Sequence, residues 1–388
     1  LADENSAPIE SADIYPDTKL TDILKWCTEH GRTFWEYVEM HEGGDIWIFL
    51  AKIWRVMREA VERGIETDGV IPGPLNLSRR AMRYYVRASG YKQSLQSRGL
   101  IFSYALAVSE EKGADIERGC VMERPKVIYN ETTKQFVMWF HLELKGQGYS
   151  AARTAVAVSD RPNGPFRYVR SMRVNPDVLP IDMSDKQWGD MMQLNAKHYK
   201  KWWTKKWYAA VEKGLFLKRD ISTGQMARDM TLFKDEDGKA YHIYSSEENM
   251  TLHIAELSAD YCSHKGKYIR VAPGGMNEAP TIFKHNGTYW MITSGCTGWE
   301  PNAARMFSAP TIWGPWTQHD NPCVGDNAEL TFGGQGTFVL PVQGSKDVFF
   351  FMLDVWKPKC PSDSRYLWLP ITFSAEGTPV VMCPNVVK

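Results

Sequence analysis

The chain has 388 residues, 46 basic and 46 acidic side chains, and 15 Trp. A balanced charge gives no bulk drive toward nucleic acid, and no apolar run reaches the roughly 18 residues that span a bilayer, so neither partner is expected. Seven Cys without a CxxC pair or a Cys/His cluster at zinc spacing predict neither a metal nor a cofactor.

Residues 1–19 lack the basic start and apolar core of a signal peptide and read as an irregular leader. Because the sequence begins at Leu1, a cleaved signal stays open. Residues 20–115 read as mainly helical. Ile46, Phe49, Leu50, Ile53, Trp54, Met57 and Val61 recur at three-four spacing and Gly64 supplies a stop. SRRAMRYYVRA and SLQSRGLIFSYALAVSEEKGA read as two more helices. The stretches IWRVMREAVERGIETDGVIPGPL and RRAMRYYVRASGYKQSLQSRGLIFSYALAVSEE resemble part of bacterial iron–sulfur L-serine dehydratase. The resemblance stops before the Cys-rich cluster region. Cys27 and Cys120 lack the ligand pattern, so neither an iron–sulfur site nor dehydratase chemistry follows.

From residue 116 to 388 the pattern changes to short strands and turns. RPKVIYNETTKQFVMWF, MTLFKDEDGKAYHIYSS, APTIFKHNGTYWMITSG and TFVLPVQGSKDVFFFML share a strand–turn–strand template. Asp237-Gly238 and Asn286-Gly287 are strong hairpin signals. A looser hairpin follows each stretch, so a four-stranded unit recurs four times, starting near 124, 230, 279 and 337. This predicts an all-β propeller, with an irregular antiparallel sandwich as the plainer alternative. Residues 170–228 interrupt the array.

At the start of the first strand of each unit stands a polar residue: Glu123, Asp229, Glu278 or Gln335. The inner strands of a propeller surround its axis, so these positions should face one cavity. Two carboxyls around one cavity suit glycoside hydrolysis, in which one group must hold a proton near neutral pH. The plainer alternative is that Glu123 and Asp229 tie blades together through Arg124 and Arg228. Trp299, in the loop SGCTGWEPNAAR, offers a sugar-stacking face or packs in the core; Arg228 and Asn302 join it as candidate substrate contacts.

ERPKVIYN, GQMARDMTLFKDEDGKAYHIYSSEE, NEAPTIFKHNGTYWMITSGCTGWEPNAAR and QGTFVLPV resemble glycoside hydrolase family 43, in its exo-β-1,3-galactanase branch. The resemblance runs from about 116 to 382. It implies a five-bladed propeller that hydrolyses galactan or galacto-oligosaccharides with inversion, and a secreted or periplasmic location. It implies Glu278 as general acid, Asp229 as the carboxylate that tunes it, Glu123 as a contact to the terminal sugar, and Gln335 in place of the usual carboxylate base. Four blades are recognisable; the first of the family's five is not. The chain therefore reads as a junction of two partial domains. A non-catalytic sugar-binding propeller is the competing function, and a dehydratase-like lyase a more distant one. Oligomeric state is not legible.

Overall fold

A computed structural model describes residues 29–30, 106, 108–358 and 364–383. The leader 1–19 and almost all of the expected helical segment lie outside the described residues. The chain divides into two compact units, residues 1–104 and 105–388. Residues 108–114, expected at the end of a helix, are not helical. Ser109 N–H donates to the Ile116 carbonyl (2.8 Å), and Gly113 takes a left-handed φ of 86°. A turn that needs positive φ stops a helix where Gly is available to supply it.

The second unit is a propeller of four sheets. The first holds β1 (Val121–Asn130), β2 (Gln135–Glu143), β3 (Arg153–Ser159) and β4 (Arg167–Met172). Helices α1 (Asp185–Met192), α2 (Lys205–Glu212) and α3 (Leu215–Asp220) follow as the insertion. The second sheet holds β5 (Met230–Lys234), β6 (Ala240–Ser246), β7 (Thr251–Leu257) and β8 (His264–Val271). The third holds β9 (Asn277–His285), β10 (Thr288–Gly295), β11 (Arg305–Ala309) and β12 (Thr317–His319). The fourth is made of β13 (Cys323–Val324), β14 (Gln335–Pro341), β15 (Phe349–Val355), β16 (Arg365–Phe373) and β17 (Pro379–Met382). Its fifth strand departs from the expected unit. On leaving the third sheet the chain first pairs β13 in parallel with β17, and only then enters the inner strand.

The two-residue side-chain period of a strand explains how the sheets stack. In the third sheet Ile282, Tyr289, Met291 and Phe307 face the second sheet, where they meet Tyr241, Ile243, Leu252 and Ile254. Their neighbours Phe283, Trp290, Ile292 and Met306 face the fourth sheet, against Val339, Phe349, Phe351 and Leu353. Each such buried side chain contributes roughly 1.5–3 kcal/mol of apolar burial. Asn286-Gly287 closes β9–β10 in two residues, with φ values of 48° and 78°. That is the mirror-image turn which matches strand twist. The insertion packs on the same principle: Met191, Trp207, Val211 and Leu217 join Trp139 of β2 and Tyr244 of β6 in one core.

The inner strands β1, β5, β9 and β14 stand side by side in that order. At the mouth β1 also reaches β14, where the Arg124 guanidinium donates to the Gly336 carbonyl at 3.3 Å. The fourth sheet has a second apolar face. Phe338, Met352 and Trp368 form one cross-strand row; Leu340, Phe350 and Pro370 form the next. This face is open: Trp368 is 56% exposed and Tyr366 69%. Among the described residues no fifth sheet covers it.

Candidate active site

Two of the four inner strands carry, within their first three residues, an acid followed by a left-handed residue. Arg124 follows Glu123 with φ 52°, and Ala279 follows Glu278 with φ 49°. The register slips between Glu123 and Lys126, and opposite Glu278 between Ile292 and Ser294. Such bulges re-aim the side chain at the end of a strand. They turn these carboxyls toward the mouth.

Arg124 ties the blades together. Its Nε lies 3.3 Å from Asp229 Oδ2, and one Nη donates to Asp354 Oδ2 at 3.0 Å. Its other Nη donates to Gln335 Oε1. Gln335 Nε2 in turn donates to Ser294 Oγ at 2.9 Å, and Ser294 pairs across the strands with Glu278. Asp229 Oδ2 also accepts from the Ala279 amide at 3.2 Å. Asp229 and Gln335 therefore meet on Arg124, and the Ala279 amide and the Ser294 pairing set them beside the strand that carries Glu278. The plainer reading, an acid tied to an arginine, describes Asp229 correctly without removing it from the cavity.

Glu123 stands on the other flank. It accepts from Tyr149 Oη at 2.8 Å and lies 3.3 Å from His141 Nδ1. His141 Nε2 is 2.8 Å from buried Glu143. Burial alone would raise the Glu123 carboxyl, but the His141 and Tyr149 bonds and the charges of His141 and Arg124 outweigh it and hold it below its usual value. His141 shows the mirror effect. Burial lowers it, and its two glutamate partners more than reverse that. Glu123, His141 and Asp229 offer three ligand atoms within 4.8 Å of one another. His141 thus lies between Glu123 and Glu143, whose charges favour its protonated form.

Glu278 is pushed up to about 7, first by burial and then by the Asp229 charge, with Cys296, Asn249 and Arg124 opposing. Asn249 Nδ2 donates to Glu278 Oε1 at 2.7 Å. Local sterics do not favour this placement of Asn249. Glu247, Glu248 and Asn249 are three consecutive non-glycine residues with φ between 51° and 62°. Such a turn persists only when its surroundings hold it. Glu247 is held by Arg270 through two bonds of 2.7 and 2.8 Å. Glu248 is held by Arg219 at 2.8 Å and Arg228 at 3.3 Å.

Trp299 is 56% exposed, and its ring lies 5.6 Å from that of Trp356, over which Arg124 sits at 5.9 Å. It stands at the mouth, not under the outer strands. Arg228 and Asn302 carry bonds within the protein. Arg228 donates to the Tyr149 carbonyl at 2.8 Å besides its bond to Glu248. The Asn302 amide accepts from Gly295 N–H and donates to the Gly295 carbonyl and Thr297 Oγ1, closing its own loop. Tyr149, His141, Asn249, Cys296 and Trp356 were not singled out from sequence. They lie outside the repeated position at each inner-strand start. Lys126 was also missed; buried under Arg124, it is pushed down to about 7 by burial and then by the Arg124 charge.

A carboxyl pushed up to about 7, with a second acid beside it and an exposed indole nearby, is equipped to protonate a glycosidic oxygen. Together, fold and site define a propeller glycoside hydrolase. The family profile described as "Glycosyl hydrolases family 43" matches residues 180–379. A solved family-43 β-1,3-galactosidase with galactodeoxynojirimycin is 62% identical, with a TM-score of 0.71, over 73% of this chain and 81% of that one. An exo-β-1,3-galactanase from Clostridium thermocellum is 34% identical, with a TM-score of 0.54, over 70% of this chain and 51% of that one. The chain belongs to glycoside hydrolase family 43. A separate likeness covers a smaller segment: L-serine dehydratase 2 of Escherichia coli K12 is 34% identical over 120 residues. That is 29% of this chain, which spans about a quarter (26%) of that relative's length.

Proposed function

We propose that this glycoside hydrolase releases galactose from the non-reducing end of β-1,3-galactan with inversion. Glu278 acts as general acid, Asp229 keeps its proton on near neutrality, and Glu123 holds the terminal sugar. Gln335 orients the attacking water; as a neutral amide it is a poor base and works by position. The carrying observation is the Glu278 carboxyl at about 7, between the Asn249 amide and the Asp229 charge. The names of the two solved relatives supply the linkage and the sugar.

The open face of the fourth sheet favours a second reading, a propeller that binds galactan without cleaving it. A small displacement of the inner strands there is enough, since about 1 Å at a catalytic group costs on the order of 10²-fold. Incubation with the methyl β-glycoside of β-1,3-galactobiose, in which only the non-reducing end yields free galactose, followed by NMR, separates the two. Initial release of α-galactose supports the hydrolase with inversion; binding without release supports the second reading. Initial β-galactose overturns the inverting mechanism.

A further inference from the structure

We propose that the insertion between the first and second sheets carries a second binding surface, for an acidic glycan. It lies on residues 196–213, which hold six lysines and one acid, Glu212, in a chain of zero net charge. Trp202 and Trp203 are 42% and 56% exposed, and their rings pack at 5.3 and 5.1 Å on Trp207, which is fully buried. Thr204 caps α2 by accepting from the Trp207 amide at 3.2 Å. The two indoles are thus held by a buried anchor and a capped helix rather than left to rotate. That lowers the entropy cost of using them as a platform.

Lys200, Lys201, Lys205 and Lys206 flank the indoles and are exposed. Lys265 and Lys284, by contrast, pair with Glu256 and Glu236. Among the described residues, no ion pair is formed by these four. Two needs are met side by side. Flat indoles suit the apolar face of a pyranose ring, and ammonium groups without a carboxylate partner suit the carboxylate or sulfate of an acidic sugar.

Packed side chains link the indoles to the site. Trp202 packs on Phe216 at 5.3 Å, and Phe216 carries the Arg219 guanidinium at 4.7 Å. Arg219 pairs with Glu248, whose chain neighbour Asn249 bonds Glu278. Arg270 adds a second tie, donating to the Val211 and Glu212 carbonyls at the end of α2. Exposed indoles on a glycoside hydrolase select a sugar polymer over a nucleic acid or a membrane, because ring stacking suits the class of molecule such an enzyme acts on. The choice of a galactan backbone rests on the proposed activity; the acidic chemistry rests on the lysines.

The test uses the full chain, Trp202→Ala/Trp203→Ala, and Lys200→Ser/Lys201→Ser/Lys205→Ser/Lys206→Ser, each checked for parental melting. Affinity electrophoresis compares glucuronate-bearing β-1,3-galactan, the same polymer after carboxyl reduction, a sulfated galactan, and an oligonucleotide. The parent should bind the glucuronate polymer about tenfold more tightly than the reduced one. Both variants should lose that margin, and raised salt should erase it. Equal binding of the sulfated polymer assigns the site to anionic galactans in general; preference for glucuronate assigns it to carboxylates. Equal binding of acidic and reduced polymers, unchanged variants, or stronger binding of the oligonucleotide overturns the proposal. Galactose release from neutral galactobiose is measured in parallel and should match the parent in both variants. If release is absent while acidic binding holds, the activity reading fails and the second surface stands.

Discussion

The Asp229 carboxylate accepts the amide of Ala279, the residue after Glu278, at 3.2 Å. This bond fixes one acid beside the other through the backbone, so a carboxylate that is already paired with Arg124 still bears on the Glu278 proton. Replacing Asp229 by Asn keeps the shape and removes the charge. The Glu278 carboxyl should then ionise at lower pH, and the basic limb of kcat/KM on galactobiose should move downward. A pH–rate profile whose basic limb stays in place would show that burial alone sets the acid.

Glu278→Gln should cut hydrolysis of galactobiose by on the order of 10²–10⁴-fold, the usual contribution of a proton donor. An activated aryl galactoside needs less protonation, so its loss should be much smaller. Comparable losses on both substrates would argue that Glu278 binds rather than donates. Gln335→Glu tests the other side: it restores an inverting pair if room for water remains, with roughly 6.5–9.5 Å between carboxyls.

Two glutamates, the half-buried Glu278 and the buried Glu247, should leave opposite marks on stability. Burial raises Glu278 from its usual 4.5 to about 7, so its folded form holds a proton that the unfolded chain has lost. Its contribution is present below about 4.5 and is lost as pH rises through 7. In Glu247, burial is outweighed by Arg270 and His253, and the carboxyl falls to about 2. Its contribution is present above about 4.5 and is lost as pH falls toward 2. Melting curves from pH 3 to 8 should therefore show Glu278→Gln gaining on the parent toward pH 8. Glu247→Gln should lose most at neutral pH, by about 3–5 kcal/mol for a broken buried pair. It should also shift the Glu278 limb, because the turn that presents Asn249 loses its anchor. Parallel curves for both variants would contradict these assignments.

The open face of the fourth sheet predicts self-association. Exposed apolar patches of this kind mark contact or aggregation surfaces. Tyr366→Thr together with Trp368→Thr should leave melting nearly unchanged, since both side chains are more than half exposed. Light scattering should report smaller particles at the same concentration. A large drop in melting temperature, with no change in scattering, would mean that the face is packed in solution.

The sequence alone determined the local grammar of the propeller. Alternation in stretches such as APTIFKHNGTYWMITSG writes two faces into each strand, and Asn286-Gly287 fixes where the chain reverses. The repeated position at the inner-strand starts named Glu123, Asp229, Glu278 and Gln335 because a repeat carries its own register. What the tertiary structure decided concerns groups brought in from other loops. Tyr149 and Asn249 arrive from loops at the ends of β2 and β6, and no period marks them. Arg228 meets Tyr149 and Glu248 from two different loops. Whether a polar side chain is free depends on which carbonyls and carboxylates lie within about 3 Å, a distance set by packing between sheets. The Glu278 carboxyl at about 7 is of the same kind: burial and a neighbouring charge 49 residues away in the chain produce it, and neither is written at position 278.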